Sequence, residues 1–210
     1  MKIRQPVIVF DFDGVVVDSN QIKHDAWFKL FAPSESVPDQ LVEEALREVK
    51  ETRFDILDFI FSRLGVARPH REQKVQIFAQ RYNTLVQTQI QSRGLVPGAR
   101  AALEGLRGNH QLFINSATPE EALAETLQAF DLQQLFVGAY GKPASKSDNL
   151  KKIAALTGLS AEQILFVGDS SSDWQAAQYE RCRFIGVRNA ANGWTTELFP
   201  VVNSITELVS

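Results

Sequence analysis

From residue 111 to residue 187 the chain alternates short apolar runs with stretches of helical periodicity. "QLFINS", "QLFVGAY", "QILFVGD" and "CRFIGV" read as strands, and "EEALAETLQAF", "NLKKIAALTG" and "WQAAQYE" between them read as helices. Strand-helix alternation of this kind confines the chain to an α/β fold, with a mostly parallel, Rossmann-like sheet and helices on both faces. The apolar run Val7 to Phe10 is expected in the same sheet. Residues 20–92 have a different texture. Ile22, Ala26, Trp27, Leu30 and Phe31 share one helical face, and Leu41, Val42, Ala45, Leu46 and Val49 share another. "RFDILDFIFSRLG" reads as a buried helix closed by Gly65, and Val75, Phe78, Ala79, Tyr82, Leu85 and Val86 repeat the pattern in the stretch from His70 to Ser92. The expected organisation is a core of residues 1–17 and 93–210 with a helical-bundle domain, residues 18–92, inserted into it.

A chain of 210 residues, 44% of them hydrophobic, has room for both parts. A net charge of −3 gives no polyelectrolyte signal, so no nucleic-acid partner is expected, whereas small anionic ligands are permitted. The single cysteine, Cys182, excludes an intrachain disulfide and reads as a small buried apolar residue. The first apolar run is too short for a signal segment or a membrane span, so a cytoplasmic protein with no membrane partner is expected, as a monomer or weak dimer. No repeat, low-complexity tract or block of like charge is present.

Chemistry enters where the first strand ends. Asp11 and Asp13 follow Phe10 at once, and an ionised carboxylate at the end of a buried strand must be solvated, paired or bound to a cation. Ligands of open parallel sheets bind beyond the carboxyl ends of the strands. Polar residues just past each expected strand should therefore converge: Asp11 and Asp13, then Asn115, Ser116 and Thr118, then Asp169, Ser170 and Asp173. Carboxylates for a cation and hydroxyls for phosphoryl oxygens are what a magnesium-phosphate site needs. Lys146 opens the helix "SDNLKKI", where its ammonium and the helix N-terminus can both face an anion.

Together these residues resemble the haloacid dehalogenase superfamily, in particular its Mg-dependent phosphatases with a helical cap, such as phosphoglycolate phosphatases and β-phosphoglucomutases. "DFDGVVVDS", "FINSAT", "YGKPASKSDNL" and "FVGDSSSD" are similar to its four motifs, in order and across the whole chain. The resemblance implies that Asp11 is the nucleophile that forms an aspartyl-phosphate, and that Asp13 is the general acid and then the base. It implies Mg²⁺ held by Asp11, Asp169 and the Asp13 backbone carbonyl, with Asp173 as a further ligand or behind them. Ser116 and a lysine would hold the phosphoryl group, with Asn115 and Gly14 beside it. The lysine is Lys146 or Lys142, and its place at a helix N-terminus favours Lys146. An aspartate two residues after the nucleophile resembles phosphatase or phosphomutase chemistry and not dehalogenase or ion-pump chemistry.

Other residues admit plainer readings. Thr118, before Pro119, fits a helix cap, and Asp18 or Ser19 fits a cap of the first inserted helix. Asp173 could cap "WQAAQYE". Arg53 opens an inserted helix, either solvated or reaching for substrate; His24, His70 and His110 lack metal-ligand spacing; residues 188–194, "RNAANGW", read as a loop without chemistry. The expected function is hydrolysis of a small phosphorylated metabolite. A sugar phosphomutase is the alternative within the fold, and an inactive phospho-ligand-binding or regulatory protein is the alternative outside enzymology.

Overall fold

The computed structural model describes residues 3–49, 52–189, 192–195 and 197–209. The chain divides into two compact units, Met1–Asp18 with Arg93–Ser210, and Ser19–Ser92. The helices of the second unit are α1 (Asn20–Lys29), α2 (Asp39–Glu48), α3 (Arg53–Arg63) and α4 (Arg68–Arg93), the last ending at the first residue of the other unit. Those of the first unit are α5 (Ala99–Arg107), α6 (Glu120–Ala129), α7 (Lys146–Thr157) and α8 (Ser171–Glu180).

The first unit is built on β1 (Val7–Phe10), β2 (Gln111–Pro119), β3 (Gly138–Lys142), β4 (Ile164–Gly168), β5 (Arg183–Val187) and β6 (Val201–Val202). The sheet runs β3-β2-β1-β4-β5-β6 and every pairing is parallel. Parallel sheets bury both faces, which explains why "VIVF" is apolar without alternation. Val7, Val9, Phe113, Phe166 and Phe184 share one face with Leu150 and Ile153 of α7 and Ala176 and Ala177 of α8. Ile8, Phe10, Leu112 and Ile114, which point the other way by the period of two, are equally buried. The chain leaves β1 toward β2 on one side and β4 on the other, so the carboxyl end of β1 is the topological switch point. β1 and β4 end nearly level there, with Phe10 opposite Val167 and also Ile114, while β2 runs on to Pro119.

The strand expected over "QLFVGAY" begins only at Gly138, because residues 133–135 form a 3₁₀ turn. Sequence reading also passed over α5, although Ala99, Ala102, Leu103 and Leu106 carry its helical spacing and are buried. The two residues of β6 are too few to show a period.

In the second unit the expected faces are inside: Ile22, Ala26 and Trp27 of α1, Val42 and Ala45 of α2, Leu57, Ile60 and Phe61 of α3, and Val75, Phe78, Ala79, Tyr82 and Val86 of α4 are buried. Lys50, at the end of the run read as α2, lies outside the described residues. Phe31, Phe61 and Phe78 interlock, with ring centroids 5.1 to 6.3 Å apart. Gly65, at φ +73°, closes α3. Thr52 and Asp55 start it as a capping box, each side chain accepting from the other's backbone N–H. The N-cap residue of α1, Ser19, makes no side-chain cap bond, and Asp18 pairs with Arg93 at 2.7 Å, so the cap expected at Asp18 or Ser19 is not formed.

Candidate active site

The strand ends bring the polar residues together. Asp11 continues the ladder, its N–H donating to the Val167 carbonyl at 2.8 Å. One carboxylate oxygen each of Asp11, Asp169 and Asp173 lies within 4.8 Å of the others, and the three residues are 5%, 7% and 0% exposed. Glycine at position 168 is what permits this: a Cβ there would meet the Cβ and Cγ of Asp173 at 2.5 Å. Asp173 also accepts from the Ser170 N–H at 3.0 Å in a capping box, so it starts α8 and serves the cluster at once. Gly14, at φ +78°, turns the chain after Asp13, with its N–H donating to the Val17 carbonyl at 2.8 Å.

Of the two lysines, Lys146 is in the cluster. Its Nζ lies 2.5 Å from Asp173 Oδ1 and 3.1 Å from Asp11 Oδ2, whereas Lys142 is exposed. Ser145 caps α7, its hydroxyl accepting from the Asp148 N–H at 3.1 Å, which fixes where Lys146 begins. Asn115, expected beside the phosphoryl group, is wholly buried. Its Nδ2 donates to the Lys146 carbonyl at 2.8 Å and its Oδ1 accepts from Asn149 Nδ2 at 3.0 Å. Both ends of the Asn115 amide are thus engaged in the protein, and Asn115 holds the start of α7.

Asp13 stands apart from the carboxylate trio. Its Oδ2 accepts from Thr118 Oγ1 at 2.6 Å, and Ser116 Oγ lies 3.5 Å away. Thr118 therefore does not cap α6: β2 runs on to Pro119, which occupies the N-cap position without a side-chain bond. Ser116 accepts from the Thr118 N–H at 3.0 Å. The loop expected to carry no chemistry also reaches the site, since Asn189 Nδ2 donates to Asp169 Oδ2 at 2.7 Å; residues 190 and 191 of that loop lie outside the described residues. Arg53, in the other unit, lies over the Phe54 ring at 4.7 Å, and its buried Nε has no hydrogen-bond partner.

The electrostatics set out what the cluster lacks. Burial pushes the Asp11 carboxyl well above its ordinary range, Asp173 pushes the same way, and Lys146 offsets them only in part against the further charges of Asp169 and Asp13. Burial lowers Lys146, but Asp11 and Asp173 outweigh it and hold the ammonium charged far above neutrality. One ammonium among three buried carboxylates leaves excess negative charge, and the donors are all hard oxygens. That set fits a divalent cation of the magnesium, calcium or manganese kind.

The residues expected to be bland are so. Cys182 is buried, its thiol pushed up to about 12 by burial and then by Glu180 and Glu162. His110 Nδ1 meets the Gln5 carbonyl at 2.7 Å, His24 packs on Phe28, and His70 is exposed. Among the described residues no helix is long and apolar enough to cross a membrane.

The residues gathered around this switch point fall within a known family: the chain belongs to the haloacid dehalogenase-like hydrolases, whose family model matches residues 8–187. Within that family the protein is a phosphatase. It is similar to a phosphoglycolate phosphatase of Cereibacter sphaeroides, 29% identical over 184 residues that cover 85% of this chain and 83% of the relative. Its fold is similar to a magnesium-bound HAD-hydrolase, YfnB, of Bacillus subtilis, with TM-score 0.73 at 18% identity, covering 98% of this chain and 97% of that one. A β-phosphoglucomutase of Clostridium difficile is also similar in fold, with TM-score 0.69 at 20% identity, covering 98% and 93%.

Proposed function

We propose that the protein is a Mg²⁺-dependent phosphatase that hydrolyses a small phosphorylated metabolite through an aspartyl-phosphate on Asp11. The observation that carries this reading is the buried ammonium of Lys146 between Asp11 and Asp173, beside Asp169 and the Asp13–Thr118 pair. The Asp11 carboxylate attacks phosphorus while Asp13 gives its proton to the departing alkoxide. Asp13 then takes a proton from water, which attacks the same phosphorus, breaks the bond to Asp11 and releases phosphate. Lys146 and Ser116 hold the phosphoryl oxygens as charge gathers on them. Asp11, Asp169 and Asp173 would hold Mg²⁺, which supplies the positive charge that lets one carboxylate approach a phosphate dianion.

Phosphoglycolate is the first substrate to try, given the names of the curated relatives. The helical unit is taken as the cap that selects the substrate, and the single cysteine supports placing the protein in a reducing cytoplasm as a monomer or weak dimer. The test is phosphate release from phosphoglycolate, sugar phosphates and nucleotides with Mg²⁺, using Asp11→Asn as the blank; equal release by that variant would overturn the assignment of the nucleophile. A phosphomutase is the second reading; it would need a basic side chain for a second phosphate, and Arg53, at the start of α3, is the candidate for that part. Isomerisation of a sugar 1-phosphate without phosphate release would establish it.

A further inference from the structure

The loop after β5 holds one arm of the carboxylate trio. Asn192 Nδ2 donates to the Asp169 carbonyl at 2.9 Å and to the Val187 carbonyl at 2.8 Å, tying the ends of β4 and β5 together. Asn189 and Asn192 also lock each other. The Asn189 N–H donates to Asn192 Oδ1 at 3.1 Å, and the Asn192 N–H donates to Asn189 Oδ1 at 2.8 Å. That second bond decides which way the Asn189 amide faces, because its oxygen is occupied by a backbone donor and its NH₂ is left to face Asp169 Oδ2, 2.7 Å away.

The two ends of the trio are thus held by different chemistry. Asp11 and Asp173 share the charge of Lys146, which partly cancels their own. Asn189 gives Asp169 a neutral amide donor, which orients the carboxylate without adding charge. A hydrogen bond behind a metal-binding carboxylate typically changes cation affinity by about 10–100-fold. From this geometry we infer that Asn189 and Asn192 form a clamp that sets the divalent-cation affinity of the site, with Asn189 as a positioning residue acting through Asp169. The inference rests on the reading of Asp11, Asp169 and Asp173 as a cation site.

Isothermal titration of the metal-free protein with MgCl₂, without substrate, tests both levels separately. Wild type is expected to bind one Mg²⁺, and absence of binding would overturn the cation reading and the clamp with it. Asn189→Ala is expected to bind about 10–100-fold more weakly while the metal-free melting temperature stays near that of wild type. A clamp that only closes its own loop would do the reverse, lowering the melting temperature and leaving the affinity alone. Wild-type affinity in Asn189→Ala would overturn the clamp and spare the cation reading. Asn192→Ala provides the same reading if the first variant does not fold. Because the two asparagines act as one unit, the double variant should bind about as weakly as the weaker single; fully multiplied losses would mean that Asn192 acts independently and would overturn the unit.

Discussion

The two units of the chain differ in what they bury. The buried face of the helical unit is aromatic and aliphatic, and its ion pairs, Arg63–Glu44, Arg81–Glu35 and Arg71–Asp58, involve side chains that keep access to water. The sheet unit buries Asp11, Asp169, Asp173, Asn115 and Asn149 at the end of its central strands. Exposed pairs contribute little to stability and cost little, whereas buried charge is expensive unless compensated. The contrast implies that one unit is built for stability and the other gives up stability to keep a charged site dry.

The largest test of that contrast is Asp11→Asn. Loss of the proposed nucleophile should lower turnover by about 10⁴-fold or more. The same substitution should raise the stability of the metal-free protein, since it removes a carboxylate whose burial is only partly compensated. The pH dependence has a definite sign. Asp11 is raised in the folded state, so above the ordinary carboxylate value the native protein holds a proton that the unfolded chain has released. Its contribution to stability is complete below that value and is lost as pH rises through the raised one. Urea unfolding in EDTA from pH 4 upward should show this loss in wild type and not in the variant; an equal slope in both would break the contrast.

Lys146→Ala comes next. Removing the ammonium should cost about 10²–10³-fold in turnover, on the scale of removing an oxyanion donor, and Lys142→Ala should stay within a few-fold of wild type. It also leaves Asp11 and Asp173 uncompensated, a loss of about 3–5 kcal/mol for a broken buried pair, which added Mg²⁺ should partly restore. No comparable rescue is expected in the helical unit. There Leu57→Ala, at a fully buried position of α3, should cost about 2–5 kcal/mol in chemical denaturation and leave the Mg²⁺ affinity within two-fold of wild type. A large change in affinity would show that the two units do not divide their roles this way.

How much of this was legible follows from the range of the interactions. The alternation of strand and helix exposed the parallel sheet; Asp11 and Asp169 stand just past the ends of β1 and β4, and Ser116 follows the apolar run of β2, positions visible along the sequence. Choosing Lys146 needed only its place at a helix N-terminus. Asn115 was read toward the phosphoryl group because a polar residue after an apolar run looks the same whether it meets a ligand or the protein, and only the fold shows its amide meeting Lys146 and Asn149. Asn189 gave no signal at all, because its partner lies 20 residues away, just past the end of β4. Thr118 was misread for the opposite reason: Thr-Pro before an acidic helix has the local signature of a cap, and a partner 105 residues distant overrides it.

Thr118 sets up the smallest effect and the sharpest form of the comparison, because the helical unit contains a threonine doing the same local chemistry. Thr52 and Thr118 each donate a hydroxyl to a carboxylate, Asp55 in one case and Asp13 in the other. Thr52 starts a helix, so Thr52→Val should lower stability by about 1 kcal/mol and leave turnover near wild type. Thr118→Val keeps the shape of the side chain and should leave stability nearly unchanged, while turnover falls by about tenfold because the proton donor is less well held. The loss should depend on the leaving group. An alkyl phosphate needs the proton from Asp13 and should show the full effect; an aryl phosphate such as p-nitrophenyl phosphate departs without much help and should show little. Equal losses on both substrates would mean that Thr118 supports the phosphoryl site and not the acid. Measured side by side, the two threonines should separate, with one hydroxyl read in the unfolding curve and the other in the rate.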